Sequence, residues 1–172
     1  SLVFKNDSGR LSGLPFLDSP HCDDRPNNIE VDLLVIHAIS LPPNSFDAQD
    51  IKDFFLGCLD IGKDKFYREI AHLRVSAHFL IDRNGVTAQF VSHKQRAWHA
   101  GVSSFKGRDK VNDFSIGIEL VGNDETLFTE VQYQELARLI LILQELYPKI
   151  SKGRVVGHSD IAPSRKTDPG PN

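Results

Sequence analysis

Two almost uninterrupted apolar runs constrain this chain more than anything else in it. The first is Val31-Asp32-Leu33-Leu34-Val35-Ile36, which leads into His37 and Ala38. The second is Ser115-Ile116-Gly117-Ile118-Glu119-Leu120-Val121. Runs of this kind are the pattern of inner strands whose sheet is covered on both faces. The second run also holds a carboxylate. Alternation puts Gly117, Glu119 and Val121 on one face and Ile116, Ile118 and Leu120 on the other. A carboxylate in such surroundings is costly unless paired. Burial raises its pKa, which suits a general base near neutral pH. The bland alternative is a buried pair with an arginine. Gly117 leaves room beside it.

The rest of the pattern supplies the cover. Apolar residues at 48, 51, 54, 55 and 58 predict a helix over 47–58, with Gly57 near its end. The clearest helix spans 129–147. Thr129 and Gln132 fit a capping box, Pro148 follows the last turn, and positions 133, 136, 137, 140, 143 and 147 mark one apolar face. It reads as a core helix, not a partner-binding one. Residues 78–82 and 86–91 flank Arg83-Asn84-Gly85, a strong hairpin signal. Residues 1–28 read as an irregular opening segment, 60–73 resist assignment, and 101–112 read as a long polar surface loop. The expected fold class is α/β (α+β mixed): a single domain over 1–172, with a central mixed β-sheet flanked by helices.

At 172 residues the chain suits one domain with a real core. A formal charge of −3 and a pI near 6.1 argue against a nucleic-acid or anionic-membrane surface. No apolar stretch reaches the ~20 residues of a membrane span. No basic-then-apolar leader opens the chain, which contains no methionine. Cys22 and Cys58 allow one disulfide at most, and a reduced chain is equally consistent.

Seven histidines need sorting. His37 and His158 share a context, each directly after an apolar strand-like run, and sites gather where strands of open sheets end. After His158 the chain runs through Lys166 to Asp168, set against Pro169-Gly170-Pro171, a segment too Pro-rich for a helix. Two imidazoles and one carboxylate form a usual catalytic zinc set with a fourth position open. Alone, each histidine is more simply a satisfied structural residue. His78, at the start of a hairpin strand, and His99 are rivals for the ligand role. In Trp98-His99-Ala100-Gly101, an aromatic and an imidazole at the lip of a polar loop suit ligand contact. Trp98 as a half-buried anchor is the plain alternative. His21, His72 and His93 default to solvent or supporting roles. In an extended segment Lys166 and Asp168 point the same way. A cation there suits an oxyanion, Arg165 is placed for the same job, and a solvated lysine is the bland reading.

Several stretches taken together are similar to one known family. They are Leu34-Val35-Ile36-His37, Ala71-His72-Leu73-Arg74-Val75-Ser76-Ala77-His78, Arg96-Ala97-Trp98-His99-Ala100-Gly101, Asn112-Asp113-Phe114 through Glu119, and Lys166-Thr167-Asp168-Pro169-Gly170-Pro171. The chain resembles the AmpD type of zinc N-acetylmuramoyl-L-alanine amidases, relatives of the peptidoglycan-recognition proteins. The resemblance implies Zn2+ held by His37, His158 and Asp168, Glu119 activating water, and Lys166 steadying the oxyanion. It implies as substrate an anhydromuropeptide, cut between the lactyl group of 1,6-anhydro-N-acetylmuramic acid and L-alanine of the stem peptide. That reaction recycles wall fragments in the cytoplasm of Gram-negative bacteria and is linked to β-lactamase induction in some.

The stem peptide carries carboxylates, so basic residues should line the cleft. Arg74 and Lys110 are the candidates, with Trp98 and His99 as further substrate contacts. Two departures bear on substrate preference, and a third on one wall of the cleft. Ala38 replaces a familiar asparagine, Lys110 a familiar arginine, and the chain stops at Asn172, where relatives continue for a short tail. A cytoplasmic, monomeric enzyme with no nucleic-acid or membrane partner is expected. The competing readings are a non-catalytic peptidoglycan-recognition module, which would lack a zinc ligand, and a periplasmic amidase acting on intact murein.

Overall fold

The two apolar runs lie side by side at the centre of a five-stranded sheet. The computed structural model describes residues 8–172, so part of the expectation for 1–28 lies outside the described residues. In chain order the elements are β1 (Cys22–Asp24), β2 (Leu33–Ile39), α1 (Gln49–Phe55), α2 (Lys65–Ile70), β3 (Phe79–Ile81), β4 (Thr87–Gln89) and β5 (Gln95–Ala97). There follow the short β6 (Ser104–Phe105) and β7 (Arg108–Asp109), then β8 (Ser115–Val121), α3 (Glu130–Leu146), β9 (Val155–Gly157) and α4 (His158–Ile161).

The central sheet runs β4-β3-β8-β2-β9. Three pairings are parallel and the β3–β4 hairpin is antiparallel, so the sheet is mixed as expected. All of β8 is buried. The period-2 alternation sorts its side chains: Ile116, Ile118 and Leu120 join Leu34, Ile36 and the α3 residues Leu139 and Leu143 in one core layer. Val121 faces the other layer, with Leu80, Phe54, Phe55 and Tyr67.

α3 starts where its sequence says. Thr129 Oγ1 accepts from the Gln132 amide, and the Gln132 carboxamide oxygen accepts from the Thr129 amide. The Gln132 carboxamide nitrogen also donates to the Ile81 and Val121 carbonyls, which ties the helix start to the ends of β3 and β8. The Arg83-Asn84-Gly85 turn forms with Gly85 at φ 78, a conformation that favours glycine. The Asp82 carboxylate accepts from the Asn84 and Val86 amides there.

Three expectations need correction. The opening segment is not wholly irregular: β1 pairs antiparallel with β5, and Arg25 donates to the carbonyls of His93, Asn112 and Asp113. Residues 101–112 are not a plain loop, because β6 and β7 form a small hairpin pinned by the Arg108–Asp32 ion pair. The segment after Gly157 does begin with one helical turn, α4, because its first proline is Pro163. The unassigned region 60–73 contains α2, capped by Asp64, whose side chain accepts from the Phe66 amide. Cys22 and Cys58 are both free thiols.

Candidate metal and catalytic site

Register builds the site. β2 and β8 run parallel with His37 opposite Glu119, at the carboxyl ends of both strands. β9 lies on the other side of β2 with Gly157 opposite Ile36, so His158 emerges at the same edge. The chain then returns: the Ser159 amide donates to the Asp168 carbonyl at 2.9 Å. Thr167 Oγ1 donates to the Asp124 carboxylate, which holds the returning segment against the loop after β8.

Three side chains converge. His37 Nδ1 lies 3.1 Å from His158 Nδ1 and 3.3 Å from Asp168 Oδ2, and His158 Nδ1 lies 3.3 Å from Asp168 Oδ1. The far nitrogen of His158, Nε2, sits 2.9 Å from the Ala100 carbonyl. A carbonyl only accepts, so Nε2 carries the proton and Nδ1 presents a lone pair. At most one proton, on His37 Nδ1, can then serve this whole group of acceptors. A divalent cation satisfies them together. Ligand atoms on a tetrahedral shell of zinc–nitrogen length are about 3.3 Å apart, which is the spacing found. The donor set therefore fits a metal of zinc type. At Asp168, burial is outweighed by the nearby His158 and His37 rings. Burial alone would raise its carboxyl, yet it is held well below the usual carboxylate range. Burial pushes His37 down, with Asp168 opposing.

Glu119 stands beside this group, its Oε1 3.9 Å from His37 Nδ1. Oε2 is buried and has no hydrogen-bond partner. Burial pushes the carboxyl well above its ordinary value, Asp168 adds to that, and Lys166 opposes it. The alternative of an arginine partner is not realised among the described residues. The space at Gly117 is not open beside Glu119 either. A Cβ there would meet His99 Cγ at 2.5 Å, because the His99 ring fills it.

A cavity of about 230 Å³ opens at these residues. His37, His158, Asp168, Glu119 and Lys166 form its polar side, and Leu41, Phe54, Phe66, Ile70, Leu73 and Val75 form an apolar wall. A polar groove of about 630 Å³ shares Lys166 and Asp168 with it and continues past Asn44, Asn123 and Arg165.

Residues 27–171 match the profile of the family described as N-acetylmuramoyl-L-alanine amidase. The chain belongs to that amidase family. This amidase is 52% identical over 164 residues to 1,6-anhydro-N-acetylmuramyl-L-alanine amidase AmpD of Haemophilus influenzae, covering 95% of this chain and 89% of that one. It is 52% identical over 165 residues to AmpD of Escherichia coli K12, covering 96% and 90%. A crystal structure of a selenomethionine AmpD derivative superposes with a TM-score of 0.93 at 49% identity, over 98% of this chain and 93% of that one.

The other expected residues of the amidase scatter. Arg74 and Trp98 meet in a separate pocket of about 520 Å³ with His21 and His72, which shares Phe54 and Leu73 with the metal-side cavity. Trp98 is also an anchor: its indole donates to Asp23, and its ring stacks on His21. Lys110 is exposed, at φ 56 before the 3-10 turn Val111–Phe114, and lines none of these cavities. His78 is not a ligand here. Its Nδ1 accepts from the Gly117 amide and its Nε2 donates to the Gln95 carbonyl. His93 bonds Tyr147. Arg165 does not face an oxyanion, since its guanidinium donates to the Ala100 and Val102 carbonyls.

His99 is no lip residue. It is buried behind His37, Nδ1 to Nε2 at 2.9 Å, although it also borders the cavity. The residues missed in the sequence are Ser115, whose hydroxyl meets His99 Nε2 at 3.1 Å, and Asn112. The Asn112 side-chain oxygen accepts from both the His99 and Ala100 amides. One signal pointed there: a glycine inside an inner strand marks a close approach.

Proposed function

We propose that this amidase hydrolyses the amide between 1,6-anhydro-N-acetylmuramic acid and L-alanine of the stem peptide, as its AmpD relatives are named for doing. Zn2+ is the proposed cofactor, with His37, His158 and Asp168 as its ligands. The observation that carries the reading is the convergence of acceptor atoms that at most one proton can serve, beside an unpartnered buried carboxylate.

A bound zinc would polarise the scissile carbonyl and lower the pKa of water toward ~7. Glu119 takes the proton of the attacking water and delivers it to the leaving amine nitrogen. Its unpartnered Oε2 is free for that exchange. Lys166, half-buried at the mouth of the same cavity, supplies positive charge to the developing oxyanion. The wall of Phe54, Phe66, Ile70 and Leu73 keeps one side of the cavity dry, which strengthens those charges. Arg74 and Trp98, in the adjoining pocket, are proposed contacts to the rest of the muropeptide. His99 acts from behind the ligands.

The proposed setting is cytoplasmic recycling by a monomer, with the soluble fragment as partner. No helix among the described residues is long and apolar enough to cross a membrane. The test is to incubate zinc-loaded protein with anhydromuropeptide and, separately, with intact sacculi, and to read products by mass spectrometry. Free stem peptide from the anhydro fragment is expected. No peptide from either sinks the proposal, and release from sacculi alone moves the enzyme to the intact wall.

A further inference from the structure

Both imidazoles at the metal site present Nδ1, and each is backed at Nε2 by one neighbouring pair of residues. Ala100 backs His158 through its carbonyl; His99 backs His37 through its ring. The first arrangement allows one tautomer only. The second does not, because His99 can either donate or accept at Nδ1. For His37 to offer a lone pair at Nδ1, its proton must sit on Nε2. His99 Nδ1 must then accept it, and the proton of His99 must sit on Nε2, facing the Ser115 hydroxyl at 3.1 Å.

We propose that His99 is a positioning residue: in its Nε2–H tautomer, backed by Ser115, it holds His37 with Nδ1 turned to the metal. Three further observations support this role. The His99 and His37 rings cross at 86°, so the Nδ1 lone pair is aimed at the edge of the His37 ring. Asn112 pins the His99 and Ala100 amides. Gly117 alone makes space for the His99 ring.

The inference rests on the zinc reading above, and the experiment separates the two. Zinc affinity is measured by competition with a chromogenic chelator for the parent, His99→Leu and His99→Asn, after their metal-free unfolding midpoints are compared. Leucine fills space without accepting; the asparagine oxygen reaches the position of Nδ1. His99→Leu is expected to weaken zinc roughly 10–100-fold, as loss of a ligand's supporting partner does, and His99→Asn to recover most of that. Ring 15N spectra of the zinc-loaded parent should show the His99 proton on Nε2. Equal zinc affinity in parent and His99→Leu, or no recovery with asparagine, overturns this inference alone. A proton on His99 Nδ1 in the zinc-loaded parent overturns it even if His99→Leu fails to fold. A parent that binds no zinc overturns both readings.

Discussion

The two halves of the site are held in different ways. His37 and Glu119 sit on β2 and β8, where residues 33–37 and 115–121 are all buried and β2 is paired on both sides. His158, Lys166 and Asp168 sit on the closing segment, where residues 163–165 and 167 are exposed. That segment is held by separate tethers: Ser159 to Asp168, Thr167 to Asp124, Arg165 to Ala100, and Tyr133 to the Asn172 carbonyl. The inner half is positioned by the sheet and needs no ligand to exist. The outer half brings its carboxylate in by local contacts, so a bound cation contributes more to its order.

The largest effects should fall on chemistry and distinguish the halves by metal content. Glu119→Gln should lower kcat by roughly 10²–10⁴-fold and leave zinc bound, because the residue is a base and not a ligand. Asp168→Ala should lose activity and zinc together, seen by metal analysis after dialysis. Retained turnover in Glu119→Gln would place the base elsewhere.

Next come two glycine substitutions, one in each half. At Gly170, φ is 85 and a Cβ would lie 2.1 Å from the Asp124 carbonyl oxygen. Gly170→Ala should shift the closing segment and cut zinc affinity about 10-fold or more, with little change in the thermal midpoint. Gly117→Ala drives a Cβ into the His99 ring inside the sheet, overpacking that costs typically about 1–3 kcal/mol. Its midpoint should fall together with zinc affinity. Equal midpoint losses in the two variants would mean the halves do not differ in this way.

The two carboxylates also carry opposite pH signatures in the metal-free protein. Glu119 is raised by folding, so its contribution is fully present below its unfolded value of 4.5 and is lost as pH rises through the folded one. Asp168 is lowered, so its contribution is present above 3.8 and is lost as pH falls through its folded value. At neutral pH, Glu119→Gln should therefore stabilise the metal-free protein and Asp168→Asn should destabilise it. Urea unfolding at pH 7 in the presence of chelator measures both signs. Near pH 3, the gain from Glu119→Gln should vanish.

The same contrast explains what could be read from sequence. β8 was expected over 115–121 and forms Ser115–Val121, because burial on both faces writes itself as a continuous apolar run. The capping box of α3 is equally local and equally plain. By contrast, β1 and β5 span three residues each and exist through a pairing of Cys22 with Ala97 that no local pattern encodes. α2 is a single capped turn and a half with exposed charges, so it shows no periodicity. Within the site, His37, His158, Glu119 and Asp168 stand out as polar residues against apolar or Pro-rich surroundings. Ser115 and Asn112 are ordinary polar residues in sequence, and only the fold brings them behind His99. His99 looked like a surface residue because Gly101 and the polar loop follow it.

The smallest expected effect lies away from both halves and tests whether the scaffold is shared. Thr129 and Gln132 join α3 to the sheet without touching the cavity. Thr129→Ala removes one cap and should cost about 1 kcal/mol, a drop of about 2–4 °C in the midpoint for a chain of this size. Gln132→Ala should cost somewhat more, roughly 1–3 kcal/mol, because it removes a donor from the Ile81 carbonyl and leaves the Val121 carbonyl only the longer bond from Arg83 among side chains. Val121 is the last residue of β8, two beyond Glu119. If the sheet positions Glu119 as a rigid unit, kcat and zinc affinity per folded molecule should stay at parent values in both variants. A fall in kcat with Gln132→Ala, at unchanged zinc affinity, would show that the inner half depends on its helix as the outer half depends on its tethers.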